Sequence, residues 1–211
     1  VCNWAWTFNP FWHRMFFQVI GALGTAMLAL SLVSRLSLAS IWGIGLAIVA
    51  LHNTLDGISF PPDSTAHYVW SFLHQKNVLP LWGAYEIRTT YPVLPVVGIA
   101  ICGFAVGAWF RELTAQALRK RLLLAGAALI ALFLALRLTN LYGDPSRFEP
   151  QSTALFTAFA IGNVTKYPIS LLFAAMTIGP ALIFLSMTHE REAAWMKPFV
   201  TLGRTPMFFS V

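Results

Sequence analysis

Residues 41–57 read IWGIGLAIVALHNTLDG: an uninterrupted apolar run, then His52, Asn53 and Asp56 within a few positions. A run of this kind needs an apolar solvent, and the rest of the chain is built the same way. Of its 211 residues 57% are hydrophobic and 10% charged, with a mean hydropathy of +0.67. Soluble domains carry roughly 25% charged residues. So few polar groups cannot cover a water-facing surface, and lipid must solvate much of the chain. The fold class this predicts is all-α: a polytopic, multi-pass transmembrane helix bundle forming a single domain over residues 1–211.

A spanning helix needs about 20 mostly apolar residues. Five stretches qualify: Met15 to Val33, Leu38 to Leu55, Pro92 to Phe110, Leu122 to Leu136 and Ile169 to Met187, with a sixth starting near Pro206. The fourth is short, with Arg121 and Arg137 flanking it as residues able to snorkel to the headgroups. Gly179-Pro180 should kink the fifth. The small residues Gly21, Gly24, Gly43, Gly45, Gly98, Gly103 and Gly107 suit close helix packing, chiefly within the bundle, with a homodimer face as the alternative for the Gly103/Gly107 pair. The first residue is Val and the last residues, PMFFSV, stop inside an apolar run, so an interior portion of a longer protein is expected.

The net charge of +6 reads as a topology signal, because Lys and Arg collect in short cytoplasmic loops. Arg35, Arg111, Arg119, Lys120, Arg121, Arg191, Lys197 and Arg204 fall on one side in short loops. The other side receives Arg14, Lys76, Arg88, Arg137, Arg147 and Lys166 spread over longer segments, and residues 57–90 and 138–167 are therefore expected as two large outer loops. Within those segments HYVWSFLHQ (67–75) and LFTAFAIG (155–162) are too short to span and should lie in the interface or cap a cavity. No basic cluster is interleaved with aromatics, which argues against nucleic acid as a partner. Cys2 and Cys102 are far apart and support neither a disulfide framework nor a zinc site.

Polar residues stand out against this background. His52 and Asp56, four apart, share a helical face with Asn53 beside them. An imidazole held by a carboxylate suits a general base, and a polar helix end is the structural alternative. Three further clusters fall at the same depth: YPVLP (91–95), NLYGDP (140–145) with Asn140, Tyr142 and Asp144, and NVTKYP (163–168) with Asn163, Thr165, Lys166 and Tyr167. Convergent polar groups around a bundle rim are where a ligand pocket is expected. His67 and His74 fall in a loop, and no second His stands at metal or haem spacing from His52, so no metal ligand is assigned.

In order along the chain, FFQVIGALG (16–24), LHNTLDG (51–57), YPVLPVVGI (91–99), LRLTNLYGDP (136–145), NVTKYPISLLFAAMTIGPAL (163–182) and LGRTPMFF (202–209) resemble a bacterial family of polytopic membrane proteins. That family is similar to the catalytic domain of heparan-alpha-glucosaminide N-acetyltransferase. Ile169 stands where members often carry a second proline and Val96 where they carry tryptophan. The family's early helices have no counterpart here, nor has the histidine tied to acetyl transfer in the lysosomal enzyme.

The resemblance implies transfer of an acetyl or acyl group from acetyl-CoA to a sugar or glycan acceptor on the outer side of a bacterial inner membrane. For such a reaction the residues offer His52 as base with Asp56 orienting it, and acceptor contacts from Asn53, Asn140, Tyr142, Asp144, Lys166 and Tyr167. CoA phosphates would meet Arg119, Lys120, Arg121 and Arg204. A function of a different class stands beside it: a non-catalytic accessory subunit docked by its apolar flanks within a larger membrane complex.

Overall fold

Five of the seven α-helices traced among the described residues begin on a serine or threonine whose hydroxyl accepts a backbone N–H of the first turn, at Ser37, Ser64, Thr114, Thr153 and Ser170. Such caps are worth about 1 kcal/mol each and fix where a helix can start. The computed structural model describes residues 13–189 and 200–201. Arg204 and the expected sixth span lie outside the described residues.

The elements run β1 (Arg14–Phe17), α1 (Val19–Val33), α2 (Leu38–Leu51) continued by a 3₁₀ turn (His52–Leu55), α3 (Thr65–Leu73), β2 (Val78–Pro80), β3 (Glu86–Thr89), α4 (Val93–Glu112), α5 (Ala115–Thr139), α6 (Ala154–Gly162) and α7 (Leu171–Thr188). This is an all-α bundle with one small sheet. Four segments are long and apolar enough to cross a membrane: α2 with its 3₁₀ turn, α4, α5 and α7. The chain is thus a multi-pass membrane protein by length and composition.

Two span expectations need correction. The stretch from Met15 begins as a strand, and α1 has only 15 residues, so the described spans number four rather than five. The stretch Leu122 to Leu136 is the middle of a 25-residue helix, not a short span. That helix takes in Arg119, Lys120, Arg121 and Arg137.

The helices associate as two groups. In one, α4 packs against α2 and α1; in the other, α5 packs against α7. Small residues make both close approaches. A Cβ on Gly98 would lie 2.7 Å from Ile48 Cγ2, and one on Gly126 would lie 2.6 Å from the Gly179 carbonyl oxygen. Gly24, Gly43, Gly103 and Gly107 instead face open space, so the expected packing role of Gly103 and Gly107 is not met among the described residues. Outward leucines such as Leu28 and Leu32, 71% and 79% exposed, suit a lipid-facing surface.

At the other end of the spans β3 pairs parallel with β1 and antiparallel with β2. Arg14 stands opposite Glu86 in that register, and the two form an ion pair. The segment carrying α3 folds over this end. Trp70 Nε1 and Gln75 Nε2 both donate to the Ile58 carbonyl, at 3.0 and 2.7 Å, and Asn77 Nδ2 donates to Ser71 Oγ at 2.8 Å.

Candidate functional site

The two helix groups meet where α2 gives way to its 3₁₀ turn. His52 is 2% exposed. Its Nδ1 lies 2.9 Å from the Val49 carbonyl oxygen and 3.2 Å from that of Ile48, and its Nε2 lies 2.9 Å from the Ile169 carbonyl oxygen. Both nitrogens face acceptors, and only a ring protonated at both could donate to both. Asn53 completes the clasp: its Oδ1 accepts the Leu171 N–H at 2.9 Å while its Nδ2 donates to Asp56 Oδ2 at 2.9 Å. Tyr142 Oη adds a third tie by donating to the Ala50 carbonyl at 2.7 Å.

The expected His52–Asp56 pairing does not form. The α-helix tightens into a 3₁₀ turn at His52, where side chains three apart eclipse and the i, i+4 alignment is lost. Asp56 Oδ1 instead accepts from Nε2 of His74, at 2.9 Å. His67 and His74 were expected in a loop. His67 lies in α3, and His74 caps its C-terminus with its N–H donating to the Trp70 carbonyl at 2.7 Å.

The His74 ring is fully buried, edge-on to His52 and beside Trp70, with centroids 6.0 and 5.3 Å away. Its Nδ1 is the buried side-chain nitrogen that has no hydrogen-bond partner among the described residues. Burial pushes the Asp56 carboxyl up, but the hydrogen bonds from His74 and Asn53 and the nearby imidazoles outweigh it and hold the group below its ordinary value.

Two cavities share Asp56 and Pro145. The larger, about 570 Å³, is walled by Asp56, His74, Lys76, Asn77 and Tyr167 among others. The smaller, about 270 Å³, is walled by Asn53, Asp56, Asn140, Tyr142, Asp144 and Arg147 among others. Five of the six residues expected to contact an acceptor therefore gather on these walls. The sixth, Lys166, is exposed with Nζ 5.1 Å from the Tyr167 ring centroid.

Several of these residues are held by structural bonds. Asp144 accepts from the Thr165 and Ser146 N–H groups, each at 2.7 Å, and from the Ser170 and Thr165 hydroxyls at 2.7 and 2.9 Å. Its oxygens are thereby occupied in pinning the 140–146 loop to the start of α7. Asn140, left-handed at φ 52°, exchanges two hydrogen bonds with the Phe148 backbone.

Tyr167 Oη and Tyr91 Oη lie 2.9 Å apart. Burial and this contact push Tyr91 up to about 12. Hydrogen bonds from Tyr91 and Lys166 bring Tyr167 below the usual phenol range. Burial raises Tyr142 above it.

Arg137 does not snorkel. It is 2% exposed, and its guanidinium donates to the carbonyls of Ile161, Ala160, Asn163 and Ser146 at 3.1, 2.9, 2.6 and 2.6 Å. Three of those carbonyls belong to the C-terminal end of α6, which a cation suits. Arg119, Lys120 and Arg121 are exposed near the start of α5. From Lys120 to Thr139 the helix rises about 28 Å, so this basic cluster stands at the opposite end of the bundle from His74 and Asp56.

His74 was missed as a site residue. The signal available was the helix-start serine Ser64 ahead of an aromatic, half-apolar turn ending in a histidine. No family model, curated protein or solved structure matches the chain.

Proposed function

We propose that the protein is a membrane acyltransferase whose general base is His74, oriented by Asp56. The observation that carries this reading is the Asp56–His74 pair, 2.9 Å apart, with His74 Nδ1 left without a partner among the described residues. Because Nε2–H donates to the Asp56 carboxylate, a neutral ring keeps its lone pair on Nδ1. That lone pair removes the proton from an acceptor hydroxyl or amine. The acceptor oxygen or nitrogen then bonds to the acyl carbon, the carbon–sulfur bond of the thioester breaks, and the proton on Nδ1 passes to the departing thiolate. The ring is fully covered, so an acceptor reaches it by entering the cavity wall that Asp56, Lys76 and Tyr167 share with it.

Acetyl-CoA is the donor to test first and a sugar or glycan the acceptor, as the resemblance implies. CoA held by Arg119, Lys120 and Arg121 would have to reach across about 28 Å of helix. The reading accordingly rests on the His74 end of the bundle and not on that cluster. Labelled acetyl-CoA supplied to membranes carrying the full-length protein should acetylate an added amino-sugar acceptor, and His74→Gln should stop it. Turnover that survives in a folded His74→Gln protein would defeat the assignment.

The second reading, an accessory subunit of a larger complex, draws on one observation. Among the described residues no atom comes within 4 Å of where a Cβ on Gly43, Gly103 or Gly107 would sit, which leaves small-residue surface for another helix. Co-purification with other membrane subunits, together with no acetyl transfer by the complex, would favour it.

A further inference from the structure

Between the two helix groups lies a half-enclosed cleft of about 410 Å³ that the proposed chemistry does not use. Its wall comes from α2, α4, α5 and α7, and includes Trp42, Val49, Cys102, Trp109, Ala128 and Ile178. Apart from the Cys102 thiol and the indole rings, that wall is hydrocarbon. A polar arm such as the amide-bearing tail of CoA would leave its amides unbonded there, at a cost of about 2–7 kcal/mol each. An alkyl chain carries no such penalty.

The size fits a lipid tail. Along α4 the wall runs from Ile99 to Trp109, a rise of about 15 Å. The hydrocarbon core is about 30 Å thick, so one leaflet's acyl chains span about the same depth. The His52 and Asn53 hydrogen bonds to Ile169 and Leu171 close the cleft toward the Asp56 cavities, and the entrance for a head group is therefore the other end. There Trp42 and Trp109 lie against each other, with centroids 5.4 Å apart. Arg121 is poised 5.8 Å over the Trp109 ring. Arg121 forms no ion pair with a carboxylate among the described residues.

We infer that the cleft is a binding site for one anionic membrane lipid, an acyl chain between the helix groups and its phosphate on Arg121. This site is separate from the proposed acyl transfer and does not depend on it. Arg121, offered above to CoA phosphates, is the one group named for both, and the transfer reading does not rest on it.

The test is native mass spectrometry of the full chain released from vesicles of equal phosphatidylglycerol and phosphatidylcholine. One phosphatidylglycerol should stay with each chain. Ala128→Trp, which fills the cleft, should abolish retention with helix content unchanged. Arg121→Gln should lower the preference for the anionic lipid about fivefold, the worth of one arginine against a charged head group. Should Ala128→Trp fail to fold, maleimide labelling of Cys102 in a Cys2→Ser background decides: the thiol should be shielded in lipid vesicles and exposed after delipidation. No retained lipid, or retention that Ala128→Trp leaves intact, would overturn the inference. So would a Cys102 that stays shielded after delipidation, because another segment of the chain or a second copy then fills the cleft.

Discussion

Asp56 Oδ1 lies 2.9 Å from Nε2 of His74, eighteen positions along the chain, while His52, four positions away, turns both nitrogens onto backbone carbonyls. The two histidines thus have different physical duties, and substitutions should separate them. His74→Gln should lower transfer by about 10²–10⁴-fold, the usual worth of a positioned base, well beyond what any loss of stability from the buried ring explains. His52→Ala removes a buried ring that bonds backbone carbonyls at the junction of the helix groups and should cost about 1–3 kcal/mol of stability. Thermal unfolding in detergent beside a transfer assay reads both.

Acid should act on the same pair. The Asp56 carboxyl is held below its ordinary 3.8 in the folded protein, so the unfolded chain binds the proton first as pH falls. Its contribution is complete above about 3.8 and is lost as pH drops through the folded value. Asp56→Asn should therefore flatten the acid limb of a stability–pH profile and leave the neutral region parallel. An unchanged acid limb would mean that the hydrogen bonds from His74 and Asn53 do not favour the charged carboxyl.

Arg137 holds the end of α6 with a planar fork that a lysine cannot reproduce. Lys at this position keeps the charge but loses donors to several of the four carbonyls that Arg137 holds. Arg137→Lys should cost about 2 kcal/mol and Arg137→Met more, since the buried guanidinium makes four charge-assisted hydrogen bonds and such bonds are worth about 1.5–3 kcal/mol. If Arg137 instead served the headgroups, Arg137→Lys would be neutral. Chemical denaturation of the reconstituted protein distinguishes the two.

The α5–α7 contact should tolerate no added volume at Gly126. A methyl there meets the Gly179 carbonyl oxygen at 2.6 Å, which is backbone and cannot rotate away. Gly126→Ala should destabilise by about 1–3 kcal/mol through overpacking. Gly103→Ala, facing open space, should be silent in the isolated protein. A thermal shift on both variants makes the comparison.

The spans were legible because hydropathy over some twenty residues is a strong signal, and α4 and α7 lie close to where it places them. The first stretch misled because its opening residues are equally apolar as a strand, and strands of three or four residues such as β1 leave no period to detect. Arg137 misled for a geometric reason. A cation at the end of an apolar run reads the same whether it reaches toward head groups or inward to the carbonyls of Ala160 and Ile161. Asp144 was recognisable as part of a polar cluster, yet its donors at Thr165 and Ser170 come from a distant part of the sequence. The Asp56–His74 pair depends on α3 folding back over the bundle, which no local pattern around His52 encodes.

The hydrogen bonds that join His52 to Ile169 and Asn53 to Leu171 also determine how mutational tolerance should be distributed through the membrane. One end of the interface between the helix groups is tied by a few directional bonds and the other by the short turn between α4 and α5, with the cleft in between. Middle positions such as Leu46 and Ala128 can drift among apolar residues without unlinking either end. His52 and Asn53 cannot, so a screen scored on activity alone would rank them beside His74 although their contribution is to assembly rather than to proton transfer.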